Sequence, residues 1–169
     1  PCGEQNVLDA LQAADAAELA DLVVILGWLK GGTVDRALTR LLGHPEARRE
    51  VIEALAIKGD RVTDLLVEQL ESVEADIRKA ALMALGRICD PSSVPALIRM
   101  LGDDDDLVIF AAGVVAKMGD RRAFEPLVQL LGHPSMAVRQ AIISALNSIG
   151  HPDMALRMVL LLKDSNSCV

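Results

Sequence analysis

Ile77-Arg78-Lys79-Ala80-Ala81-Leu82-Met83-Ala84-Leu85-Gly86-Arg87-Ile88-Cys89-Asp90 is the stretch that decides the fold. It is rich in Ala and Leu, both strong helix formers. Its apolar residues recur at helical spacing and lack the alternation of a strand. Its tail, residues 85–90, returns as Val115-Ala116-Lys117-Met118-Gly119-Asp120 and again as Leu146-Asn147-Ser148-Ile149-Gly150-His151. Upstream, Leu55-Ala56-Ile57-Lys58-Gly59-Asp60 falls in the same frame. The small junction residue stands at Gly31, Gly59, Cys89, Gly119 and Gly150, at spacings of 28, 30, 30 and 31. Self-similarity at such a period marks stacked repeats, each one supersecondary unit unable to bury its apolar face alone.

A second column lies eleven or twelve residues after each junction: Leu42, Leu70, Leu101, Leu131 and Leu162. Four residues before each stands Leu38, Leu66, Leu97, Leu127 or Met158, which is one face of a helix. Seven before each comes a looser column of Asp35, Thr63, Val94, Phe124 and Ala155. The unit is therefore helix A, a tight turn, helix B and an inter-repeat turn. The spacing predicts A helices near 17–30, 46–58, 74–88, 106–118 and 136–149. It predicts B helices near 33–42, 61–71, 91–102, 121–132 and 152–163. Glycine tolerates the left-handed conformation that ends helix A, and Asp60, Asp90 and Asp120 are placed to cap the next helix. The chain reads as all-α: an orphan helix at 4–14, then about five two-helix repeats at 17–44, 45–72, 73–103, 104–133 and 134–164. No polar capping repeat is visible at either end, so a piece of a longer array is expected.

The period and the Arg78-Lys79-Ala80-Ala81-Leu82-Met83-Ala84-Leu85 pattern, with Asp90-Pro91 and Val94-Pro95-Ala96-Leu97 after it, resemble short HEAT-like repeats of the phycobilisome-lyase type. Val138-Arg139-Gln140-Ala141 opens another such unit. Two departures stand out: Val108 replaces the Arg in the fourth repeat, and the first helix A lacks the pattern. The resemblance implies a right-handed α-solenoid, an α-α superhelix, with helix B lining its inner curve. Such repeats occur in bilin lyases and in signalling and scaffold proteins. They also resemble the metal-binding repeats of deoxyhypusine hydroxylase, but the His-Glu pairs that hold that metal are absent here.

Composition narrows the function. Acids outnumber bases 24 to 17, for a formal charge of -7. Nucleic acid and anionic membrane surfaces, which recruit Lys and Arg, are disfavoured as partners. No apolar run is long enough to span a bilayer. The odd cysteine count of 3, with no CxxC spacing, suits free thiols in the cytoplasm. Aromatic residues are only 2% of the chain, and Tyr is absent.

Few residues suggest chemistry. Cys2-Gly3-Glu4-Gln5 looks like an internal thioester motif, yet the same positions fit a repeat turn. His44, His133 and His151 each precede Pro in turns that lie too far apart to share a metal. Asp103-Asp104-Asp105-Asp106 lacks the Gly-containing loop of a calcium site and suits the positive end of the next helix. Neither a cofactor nor a metal is expected. Binding is assigned to helix B, at positions one, two and six before the Leu column. The candidates are Arg36, Arg40, Leu41, Glu68, Arg99, Met100, Gln129 and Leu130. Their apolar members form a stripe that is either a peptide groove or packing between repeats. The function expected is a non-catalytic scaffold that binds another protein or peptide along helix B. The alternative is a bilin lyase, or a lyase-related subunit, cradling an open-chain tetrapyrrole.

Overall fold

The computed structural model describes Leu11 and residues 16–150. The orphan helix at 4–14 (Leu11 apart) and the last B helix at 152–163 lie outside the described residues, as do Cys2, Gln5 and His151. The A helices are α1 (Ala16–Trp28), α3 (Arg48–Lys58), α5 (Ala75–Ile88), α7 (Asp105–Met118) and α9 (Met136–Ile149). The B helices are α2 (Gly32–Arg40), α4 (Thr63–Gln69), α6 (Val94–Arg99) and α8 (Phe124–Gln129). No strand occurs among the described residues.

The helices pack in a line. Helix α1 lies on α3, α3 on α5, α5 on α7 and α7 on α9, while each B helix packs on the A helix that comes after it. Contacts that pass only from neighbour to neighbour define an α-solenoid. Small residues let the A helices approach. A Cβ on Gly86 would come within 2.8 Å of a Val114 methyl, and one on Gly27 within 3.2 Å of the Ala54 backbone. The inner Leu column, Leu38, Leu66, Leu97 and Leu127, is fully buried between the layers.

The B helices are shorter than their sequence pattern suggests. Their α-helical cores run for only 6 residues in α6 and α8. Tight 3-10 turns extend them: Pro91–Ser93 and Met100–Gly102 around α6, Arg121–Ala123 and Leu130–Gly132 around α8. Asp90 and Asp120 open these units, accepting hydrogen bonds from the amides of Ser92 at 3.0 Å and Arg122 at 2.9 Å. The Ser92 hydroxyl, then its amide, holds the Asp90 carboxyl below its ordinary range. The Arg122 side chain, then its amide, does the same for Asp120. A lowered folded pKa means that this stabilisation is present above the usual carboxylate range. It is lost as pH falls through the folded value. The turn Gly59–Val62 differs, since it carries no side-chain cap and Asp60 lies inside it. At the junctions, Gly119 takes φ +66°, and Cys89 takes φ 55°, which a residue with a Cβ adopts at a cost of about 1–2 kcal/mol.

Polar side chains tie each repeat to the one before. Arg78 bonds the Ser72 carbonyl at 2.9 Å and the Asp103 carboxylate at 2.8 Å. Arg48 and Arg139 bond back in the same way to the carbonyls of Leu42 and His133. Val108, which stands where an Arg is expected, is buried, and Arg78 from the previous repeat reaches its turn instead. Near the C-terminus of the previous A helix, Lys58 donates to the Leu29 carbonyl and Lys117 to that of Gly86. The acidic run is accounted for by the same contacts: Asp103 and Asp104 pair with Arg78, and Asp105 and Asp106 sit in the first turn of α7.

One ion pair lies inside the stack. Lys58 Nζ is 2.8 Å from Asp35 Oδ1, with side-chain exposures of 2% and 6%, and Arg61 approaches the other oxygen at 3.5 Å. Asp35 stands in the column of Val94 and Phe124, and Lys58 in that of Ile88 and Met118. Two charges thus replace two apolar residues at the junction of the first two repeats.

Candidate binding groove on the helix B face

The B face carries a groove of about 330 Å³ between α2 and α4, lined by Arg36, Thr39, Arg40, Leu65, Glu68 and Gln69. Helical spacing puts Arg36 and Arg40 one turn apart on α2, both exposed. Thr39 is buried beneath them, its hydroxyl donating to the Asp35 carbonyl at 2.8 Å. Glu68 and Gln69 end α4 on the opposite wall, and Leu65 adds an apolar surface. Neither Arg36 nor Arg40 has an ion-pair partner among the described residues.

Of the residues expected to bind, the groove brings together Arg36, Arg40 and Glu68. Arg99 and Gln129 are exposed on later B helices and do not join it. Arg99 lies 3.6 Å from Glu71.

The apolar stripe is corrected. Leu41 is 9% exposed and Met100 6% exposed, both in the core, and Leu130 is half-buried and packed against that core. Each of the three lies three positions after the buried Leu38, Leu97 or Leu127, and residues three apart share one face of a helix, so they extend the buried column at its edge. Positions two and six before the column do face solvent: Arg40, Glu68, Arg99 and Gln129, with Arg36, Asp64, Pro95 and Glu125.

Thr39 and Leu65 were not anticipated. Thr39 points inward from the wall, and Leu65 is half-buried beside the column residue Leu66, so an outward-position rule passes over both. His133 serves its own turn, where Nδ1 accepts from the Ser135 amide at 3.2 Å. No group of three or more potential metal ligands converges among the described residues. No helix among them is long and apolar enough to cross a membrane.

Helix pairs stacked in a line, with a polar groove between consecutive B helices, define an α-solenoid of two-helix repeats. The family model for HEAT repeats matches residues 34–114 and 107–169, and the chain belongs to that family. It is 43% identical over 72 residues to the bilin biosynthesis protein PecE of Mastigocladus laminosus. It is 40% identical over 72 residues to PecE of a Nostoc strain. Each match covers 41% of this chain, and the chain spans only 27% and 28% of the two relatives. Among solved structures it resembles the CpcE–CpcF complex of phycocyanin lyase from Nostoc. The TM-score is 0.62 at 21% identity, over 98% of this chain and 71% of that one. It also resembles a designed armadillo repeat protein bound to a (KR)4 peptide. There the TM-score is 0.57 at 17% identity, over 97% of this chain and 92% of that one. At those identities the two structures show the shared fold.

The relatives overturn the expectation of a non-catalytic scaffold. That expectation leaned on the helix B face and its apolar stripe, and of the stripe Leu41 and Met100 are buried. Relatives matched by sequence are named for bilin biosynthesis, which favours the lyase-related alternative.

Proposed function

We propose that this chain is part of a bilin lyase, or of a lyase-related subunit, and holds an open-chain tetrapyrrole against its helix B face. The observation that carries the reading is the 43% identity to PecE over 72 residues. The fold likeness to the CpcE–CpcF lyase complex supports it. The groove adds chemistry that suits the ligand, with cations and polar groups beside an apolar side chain. Ligand pockets start near about 300 Å³, so this groove takes part of such a chromophore and leaves the remainder to other surfaces.

Those surfaces belong to the rest of the subunit or to a second protein. The aromatic residues of the described chain are elsewhere. Trp28 is 72% exposed on α1, Phe110 lies on α7 beneath Lys79, and Phe124 is buried. A protein partner is therefore part of the proposal, as in the CpcE–CpcF complex. The three cysteines without a paired pattern favour a cytoplasmic setting for this work.

The test is an absorbance titration of biliverdin, a free open-chain tetrapyrrole, with the purified chain. A saturable change in the visible bands at micromolar protein is expected. An unchanged spectrum up to about 100 μM protein, the range in which only a binder near millimolar Kd stays silent, contradicts the proposal.

A further inference from the structure

We infer that Arg36 and Arg40 are the seat of the ligand's paired carboxylates, with Glu68 facing its pyrrole N–H donors; this rests on the bilin reading of the groove. The chain is acidic overall, and most of its described arginines are spent on structure. Arg48, Arg61, Arg78, Arg87, Arg99 and Arg122 are in ion pairs, and Arg139 bonds turn carbonyls. Arg49 and Arg121 also lack ion pairs among the described residues, but they lie on different elements. Arg36 and Arg40 have no ion-pair partner among the described residues, share one helix and line one groove.

That arrangement works against the fold. Like charges four apart on a helix repel, so the pair is unfavourable for α2. Glu68 lines the same groove yet is in no ion pair with either arginine among the described residues. Two guanidiniums rooted one helical turn apart each offer a fork of donors, which suits a pair of carboxylates. An open-chain tetrapyrrole carries two propionate arms on neighbouring rings, which matches two cations at that spacing. It also presents ring N–H groups, and a carboxylate acceptor such as Glu68 suits those. An acidic peptide would bring its negative charge against Glu68, so the mixed wall favours the tetrapyrrole.

Biliverdin and its dimethyl ester separate these ideas, because they share a chromophore and differ in carboxylates. The native chain should bind the free acid about tenfold or more tightly than the ester, the scale of a charge-assisted bond. Arg36→Gln with Arg40→Gln should erase that preference, leaving both ligands bound as the native chain binds the ester. Helicity should not change, since both side chains are exposed. Equal binding of acid and ester by the native chain, or a preference that survives in the double variant, overturns the assignment while leaving the bilin reading intact. Binding of an oligoglutamate peptide that depends on both arginines, without competition by biliverdin, overturns it in favour of an acidic partner. Failure of both tetrapyrroles to bind overturns the functional reading as well.

Discussion

Lys58→Met should destabilise the chain by about 3–5 kcal/mol, read as a lowered urea midpoint at neutral pH. Methionine fits the position sterically, because the equivalent residues of later repeats are Ile88, Met118 and Ile149. The cost comes from what is left behind. Asp35 is 4% exposed, and with Lys58 gone its carboxylate is buried against an apolar junction. Arg61 at 3.5 Å is half-exposed and compensates only in part. The Leu29 carbonyl loses its donor as well. Removing both charges should behave differently. Asp35→Val with Lys58→Ile installs residues found in the same columns elsewhere, and should recover most of the loss or exceed the native stability. A double variant as weak as the single one would mean that the pair is favourable in itself and not merely mutually neutralised.

Met100→Glu should cost on a similar scale, about 3–5 kcal/mol, because it places an unpaired carboxylate in the core. The side chain is 6% exposed in the 3-10 turn that closes the third repeat. Circular dichroism at 222 nm should show a lower thermal midpoint and loss of cooperativity. Leu130→Glu is the internal control. Leu130 is half-buried, so its new carboxylate can reach water, and the loss should be smaller. If Met100→Glu kept native stability, the burial of this position in the core would be wrong.

These two sites also mark where the sequence was legible and where it was not. The A helices came within two or three residues of their observed ends, because Ala-rich segments such as Ala80–Leu85 carry a clean period and the junction residues stop it. The B helices were legible as units but not in detail. Leu41, Met100 and Leu130 stand three residues after a buried column Leu, so the i, i+3, i+4 pattern already put them at the edge of the apolar face, and reading them as outward-facing overlooked it. The Asp35–Lys58 pair had a signal, two charges in otherwise apolar columns, but column alignment does not say that they meet. Half of the groove was visible, since Arg36, Arg40 and Glu68 occupy outward positions. That Thr39 and Leu65 complete it depends on how α2 and α4 lie side by side. Function was the least legible part. Aliphatic repeats specify stacking, and the exposed residues that select a ligand obey no period.

Amide hydrogen exchange, with and without saturating biliverdin, bears most directly on the claim that the B face near α2 and α4 holds the ligand. Slowed exchange within 32–43 and 59–70 is predicted, with α7 and α9 unchanged. Protection confined to 105–149, or none at ligand concentrations that saturate the absorbance change, would contradict it.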